Sequence, residues 1–157
     1  MANIVITGAN QGIVYFLAEQ LLNDGNRVAV FDLETENLEK LKSVHGNNLL
    51  YYVVDVRNQD CLCNAVKAVV SEFGSIDIAV HNACKCTFDA EVDTYRDVFE
   101  VNYFGALGLS KSVLPYMVEQ NSGKVADPLA AAKAVNHRKR VHKECLGRRL
   151  PISSRAG

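Results

Sequence analysis

Short apolar runs along this chain each give way to a longer stretch in which apolar residues recur three and four positions apart, the alternation of strand with helix. Asn3–Thr7 reads as a first strand, apolar at Ile4, Val5 and Ile6, as suits a strand covered on both faces. The helix after it carries Phe16, Leu17, Leu21 and Leu22 at core spacing and stops at Asn23-Asp24-Gly25. Arg27–Phe31 is a second strand ending in Asp32, and Glu34–Ser43 a short helix on Leu38 and Leu41. Leu49–Val54 forms a third strand, Asp60–Phe73 an amphipathic helix on Leu62, Val66, Val69 and Val70, and Ser75–Val80 a fourth strand. Thr94–Met117 is the longest helical pattern, with Val98, Val101, Tyr103, Leu107, Leu109, Val113 and Leu114 giving a broad apolar face. Within it Gly105 and Gly108 allow a neighbour to pack closely, and Pro115 signals a kink or an early end. Gly123-Lys124-Val125 starts a further short strand. This alternation, joined by right-handed crossovers, predicts an α/β fold: a doubly wound, mostly parallel sheet in the order 3-2-1-4, with a short fifth strand and helices on both faces.

The turn between the first strand and its helix is Thr7-Gly8-Ala9-Asn10-Gln11-Gly12-Ile13-Val14. A strand that ends in glycines and runs into a helix points backbone N–H groups and the positive end of the helix dipole at whatever lies beyond it. A dinucleotide pyrophosphate suits that place. Gly8 lets the chain leave the strand, Gly12 lets main chain approach a phosphate, and Asn10, Gln11 and Ile13 complete the loop around it. Asp32 then stands at the tip of the second strand, close to the roughly 20-residue spacing at which an acid bonds the adenine-ribose hydroxyls, with Leu33 beside it. The same charge repels the 2′-phosphate of NADP, and no Arg or Lys occupies the turn or follows Asp32 directly, so NAD is the expected cofactor. The bland alternative for Asp32 is a helix cap or an exposed loop acid.

The glycine turn resembles the T-G-x-x-x-G-x-G turn of the short-chain dehydrogenase/reductase family, with Val14 in place of the last glycine. The resemblance implies a Rossmann-type sheet, a nicotinamide dinucleotide, and hydride transfer to or from a small alcohol or carbonyl compound. It also implies that Asp55 and Val56, after the third strand, flank the adenine, although Asp55 could equally cap the helix that follows. His81-Asn82-Ala83-Cys84 resembles the family's N-N-A-G segment, so Asn82 and Ala83 are expected to line the cofactor cleft. His81 there is read as replacing a structural hydrogen bond rather than as a general base. Val101-Asn102-Tyr103-Phe104-Gly105 matches the family's long helix, which makes Asn102 a candidate for positioning a catalytic lysine; otherwise it is a solvated helical residue.

Beyond Val125 the likeness thins. Carbonyl reduction needs a proton donor at oxygen as hydride reaches carbon, and the family uses a tyrosine with a lysine four residues on, one helical turn away. The six tyrosines, at 15, 51, 52, 95, 103 and 116, never stand four before a lysine. Asp127–Val135 is similar to the catalytic helix, with Leu129 where the tyrosine would be and Lys133 as the lysine. The serine of the fifth strand has no counterpart, and lost or very low activity is the expectation.

Composition adds little until it is divided. At 157 residues, 48% apolar and 22% charged, the chain has the length and balance of one globular domain. Up to Gly123 it holds 8 Lys/Arg against 16 Asp/Glu, and from Lys124 onward 9 against 2. We therefore divide it into a cofactor-binding domain, 1–125, and a basic, partly helical segment, 126–157, with a helix expected from Pro128 to Leu146. Two accounts of that segment compete: a frameshifted or alternatively joined end, or a polyanion-binding element. The lack of interleaved aromatics disfavours nucleic acid. No apolar run approaches the ~20 residues of a membrane span, and the residues before the first strand show no basic segment and apolar h-region, so no secretory leader is expected. The five cysteines are odd in number, which points to reduced thiols and a cytoplasmic protein, and their C-x-C spacing is not that of a zinc site. A homo-oligomer is expected through the 94–117 helix.

Overall fold

The computed structural model describes residues 1–85 and 92–126, with residues 92 and 93 described in backbone only. The strands are β1 (Asn3–Thr7), β2 (Arg27–Asp32), β3 (Leu49–Val53), β4 (Ile78–Val80) and β5 (Lys124–Ala126). They form one sheet in the order β3-β2-β1-β4-β5 with every pairing parallel. This is the doubly wound architecture expected, including the short fifth strand.

Successive strand residues point to opposite faces, and the core divides accordingly. Ile4, Ile6, Val28 and Val30 join Val14, Ala18 and Leu22 of α1 (Gly12–Asn23) and Leu38 and Leu41 of α2 (Leu38–His45) on one face. Val5, Ala29 and Phe31 join Leu62, Val66 and Val69 of α3 (Gln59–Phe73) and Leu109, Val113 and Met117 of α5 (Gly105–Glu119) on the other. Burying each of the larger of these side chains contributes roughly 1.5–3 kcal/mol, so both faces hold the sheet.

Several local expectations are corrected. Phe16 is 62% exposed, because the buried stripe of α1 is Val14-Ala18-Leu22 at i, i+4, i+8, leaving Phe16 on the far side. Val14, in the place of a glycine, is seated in that stripe. The second helix starts at Leu38 and not at Glu34, because the chain before it is committed elsewhere. The Glu34 N–H bonds the Asp32 carboxylate and Asn37 bonds Asn10 through both its backbone N–H and its side-chain amide. Asp55 does not cap α3; the Asn58 side chain does, accepting the Cys61 N–H at 3.1 Å. The long helix does not end at Pro115 but runs through α4 (Val92–Phe99), a π-turn over Glu100–Phe104, and α5 to Glu119. Tyr103, Leu107 and Leu114 are half exposed rather than buried, because α5 turns the stripe Gly105, Gly108, Leu109, Ser112, Val113 and Met117 inward and Leu107 and Leu114 lie on another face of that same helix. Gly105 and Gly108 do permit close packing, against Val56 and Gln59.

Candidate cofactor cleft

The carboxyl ends of β1 to β4 surround a cleft of about 560 Å³, located where the strand order reverses between β1 and β4. Open parallel sheets bind ligands at such switch points. Gly8, Gln11, Ile13, Asp32, Leu33, Asp55, Val56, Asn82 and Ala83 all line it, as do Arg57 and Lys85, which the sequence reading did not single out.

Gly8 and Gly12 both have positive φ, 71° and 70°, but they differ in surroundings. A Cβ on Gly8 would stand 2.8 Å from the Ala83 Cα and 2.9 Å from its nitrogen, so the strand-4 loop presses directly on this turn. A Cβ on Gly12 would meet nothing within 4 Å. Gly12 opens α1, whose N-cap Gln11 makes no side-chain bond and whose first turn carries no acid. The positive end of that helix is left without a counter-charge from its own side chains.

Asp32 accepts the Asn10 N–H at 2.8 Å and the Glu34 N–H at 3.3 Å. Two donors leave a carboxylate with acceptor capacity for hydroxyls in the cleft. Asn10 itself is 2% exposed and is spent on Asp32 and Asn37, so it shapes the turn from beneath. Ile13 and Leu33, 86% and 62% exposed, offer apolar surface at the cleft's edge. Asp55 holds Arg57 side-on, with N–O distances of 2.6 and 3.0 Å, and the guanidinium keeps the Asp55 carboxyl below the usual carboxylate range against the opposing effect of burial.

Thr7 organises the strand-4 loop. Its hydroxyl oxygen accepts the N–H groups of Asn82 and Ala83, both at 3.0 Å, while the Asn82 side chain donates to the Gly8 carbonyl at 2.8 Å. With both lone pairs of the oxygen engaged, the Thr7 hydrogen goes to His81 Nδ1 at 3.2 Å. The neutral ring then carries its proton on Nε2, which is buried without a hydrogen-bond partner among the described residues. Burial holds the His81 pKa below its ordinary value, outweighing the Val101 and Ala83 backbone groups that push it up. His81 thus makes a structural bond, as its sequence context suggested, and Thr7 was legible only as the residue before Gly8.

The folded chain disfavours imidazolium, so the stability His81 contributes is present above its unfolded pKa of about 6.5 and is lost as the pH falls below that value. Urea midpoints are expected to drop between pH 7.5 and 5.5, and His81→Asn is expected to flatten that drop. An unchanged slope in the variant would remove His81 as its source.

A second, more open cavity of about 450 Å³ adjoins the cleft through Asn82, Ala83 and Cys84, and reaches Ser110, Val125 and Ala126. Asn102 lies on its wall, but its side chain is committed: Oδ1 accepts the Lys85 N–H at 2.8 Å and Nδ2 donates to the Lys85 carbonyl at 3.1 Å. Lys133 and the helix expected from Pro128 lie outside the described residues. No helix among the described residues is long and apolar enough to cross a membrane.

The short chain dehydrogenase family model matches residues 2–128. Human "Dehydrogenase/reductase SDR family member 7" is 35% identical over 131 residues, covering 76% of this chain and 39% of that relative. The "NADP-dependent 3-hydroxy acid dehydrogenase YdfG" of Escherichia coli K12 is 28% identical over 127 residues, covering 78% of this chain and 51% of the relative. Among solved structures, a short-chain dehydrogenase from Streptomyces avermitilis superposes with a TM-score of 0.76 at 27% identity, over 81% of this chain and 49% of that one. The chain therefore spans about half or less of the length of these relatives. With the family model covering most of its length, and the parallel sheet, glycine turn and strand-4 loop in place, the chain belongs to the short-chain dehydrogenase family.

Proposed function

We propose that this chain binds a nicotinamide dinucleotide in the cleft, NAD(H) in preference to NADP(H), and that its hydride-transfer activity is lost or very low. The observation that carries the reading is the α1 N-terminus, without side-chain cap or first-turn acid, facing the cleft beside the Asp32 carboxylate. The pyrophosphate would lie over Gly12 and the first turn of α1, the adenine ribose against Asp32, and the adenine between Leu33 and the Asp55-Val56 loop, with Asn10, Gln11 and Ile13 forming the turn. Asn82 and Ala83 would line the path to the nicotinamide, and the second cavity would receive a small alcohol or carbonyl compound. Asn102 and Lys133 are the residues of this chain that match the family's catalytic helices.

The cofactor choice rests on Asp32. Relatives include an enzyme named as NADP-dependent, and the structure titled "ElxO with NADP Bound" shares the fold at 22% identity. A fixed carboxylate at the β2 tip would repel a 2′-phosphate, whatever those relatives use. NADH is expected to bind at least about tenfold more tightly than NADPH, a difference of about 1.4 kcal/mol, and Asp32→Ala to narrow the gap. Calorimetric titration checks both; equal affinities would end the NAD preference, and no binding of either would end the cofactor reading.

The unit that binds the cofactor is taken to end near Val125, with 126–157 standing where the relatives carry catalytic and substrate elements. Cys61 and Cys63 are free thiols, and a reducing compartment such as the cytoplasm suits them. A second reading, a dimerising or binding fragment, is favoured by the exposed Tyr95, Phe99, Tyr103, Leu107, Leu114 and Val118 along the long helix. Apolar strips of this kind are usually covered. Light scattering is expected to show self-association that Tyr103→Glu with Leu107→Glu abolishes; a strict monomer at high concentration would count against it.

A further inference from the structure

We propose that Asp97 is a positioning residue for the cleft, joining Arg57 and Lys85 in a line of alternating charge that ties the loops after β3 and β4 to α4; the proposal rests on the cofactor reading above. Asp97 Oδ2 lies 2.7 Å from Lys85 Nζ, and its Oδ1 lies 3.9 Å from Arg57 Nη1. Arg57 in turn grips Asp55 at 2.6 Å. The sequence of charges is thus Asp55, Arg57, Asp97, Lys85, and all but Asp97 line the cleft.

Each loop has its own local anchor. Arg57 forks onto Asp55 within the loop after β3, and the Lys85 backbone is pinned by Asn102 after β4. Neither anchor connects one loop to the other across the cleft wall, and Asp97 does. Lys85 and, more weakly, Arg57 hold the Asp97 carboxyl below the usual carboxylate range, so it stays charged at neutral pH. Single exposed pairs are weak, but a shared carboxylate between two cations restrains both at once. Remove it, and two like charges face each other on the wall with no acid between them.

Two physical pictures predict opposite results. If Asp97 only masks the cations, its neutralisation strengthens binding of anionic NADH; if it positions them, neutralisation weakens it. Asp97→Asn is expected to weaken NADH binding about two- to fivefold at low salt, the range for an exposed ion pair. Asp97→Glu is expected to recover part of the loss, and 0.5 M salt to shrink the difference between wild type and Asp97→Asn. Hydrogen exchange in the unliganded Asp97→Asn chain is expected to accelerate in both loops, 54–58 and 82–85. Tighter or unchanged NADH binding in Asp97→Asn, or faster exchange confined to 92–99, overturns the proposal. Should the wild-type chain bind no NADH, the cofactor reading fails by itself, and the exchange measurement still decides whether Asp97 joins the loops.

Discussion

Replacing Gly8 by alanine is expected to destabilise the chain by about 2–5 kcal/mol and to abolish NADH binding, while Gly12→Ala costs only the roughly 1–2 kcal/mol of its backbone conformation. Both positions have positive φ, and a side chain there costs roughly 1–2 kcal/mol through the clash of Cβ with backbone. Only at Gly8 does a second penalty apply. The new methyl would lie 2.8 Å from Ala83 Cα and 2.9 Å from the Ala83 nitrogen, and backbone cannot yield as a flexible side-chain tip can. Overpacking of this kind adds about 1–3 kcal/mol. The displaced segment is the one that Thr7 and Asn82 bind, so the damage spreads to the bonds holding the strand-4 loop. Urea denaturation of the two variants checks this: equal losses at both positions would show that φ alone matters and that the Ala83 contact is soft.

Carbonyl reduction by this chain is expected to run at least about 10²–10⁴-fold below that of an intact relative, the usual contribution of a general acid. The sequence holds no tyrosine four residues before a lysine, so Lys133 has no phenol to tune. Asn102 has its side chain engaged with Lys85, and what it offers a substrate is limited to its backbone and to the loop it holds. Lost positioning of the substrate would deepen the deficit by several kcal/mol more. NADH absorbance followed with a panel of ketones checks the expectation. Steady turnover that Asn102→Ala removes would mean the chain has another proton donor and is a working enzyme.

The parts of this fold visible in the sequence were those carried by local pattern. Ile4-Val5-Ile6, the glycine turn, and Leu62-Val66-Val69 announce strand, loop and helix without reference to anything distant, and the strand order followed from chain alternation. The boundary of α2 was not legible, because what delays it is the contact of Asn37 with Asn10, residues far apart in the chain. Phe16 and Leu17 fit core spacing equally well, and only the direction from which the sheet approaches α1 separates them. In the cleft, Asp32 and Asn82 could be read from spacing and resemblance, and Arg57 had a signal in its place two residues after Asp55. The pairing of Lys85 with Asp97 had none, since a 12-residue separation across a loop implies no contact. The π-turn was equally silent, since the apolar pattern on either side of it reads as one helix.

The parallel pairing of β1 has a consequence for how the molecule comes together. β1 lies between β2 and β4, with Ile4 beside Ile78, so β1, made before both neighbours, cannot complete its ladder until β4 has been synthesised. No pair in this sheet is a local hairpin; each needs a crossover whose closure entropy is lost before the contact forms. At about 5–20 residues per second, a nascent chain holds Ile4, Val5 and Ile6 with one edge open for several seconds. During that interval a run of unpaired β-branched residues is a template for other chains. The central strand, the most protected part of the finished structure, is therefore its most hazardous segment during birth.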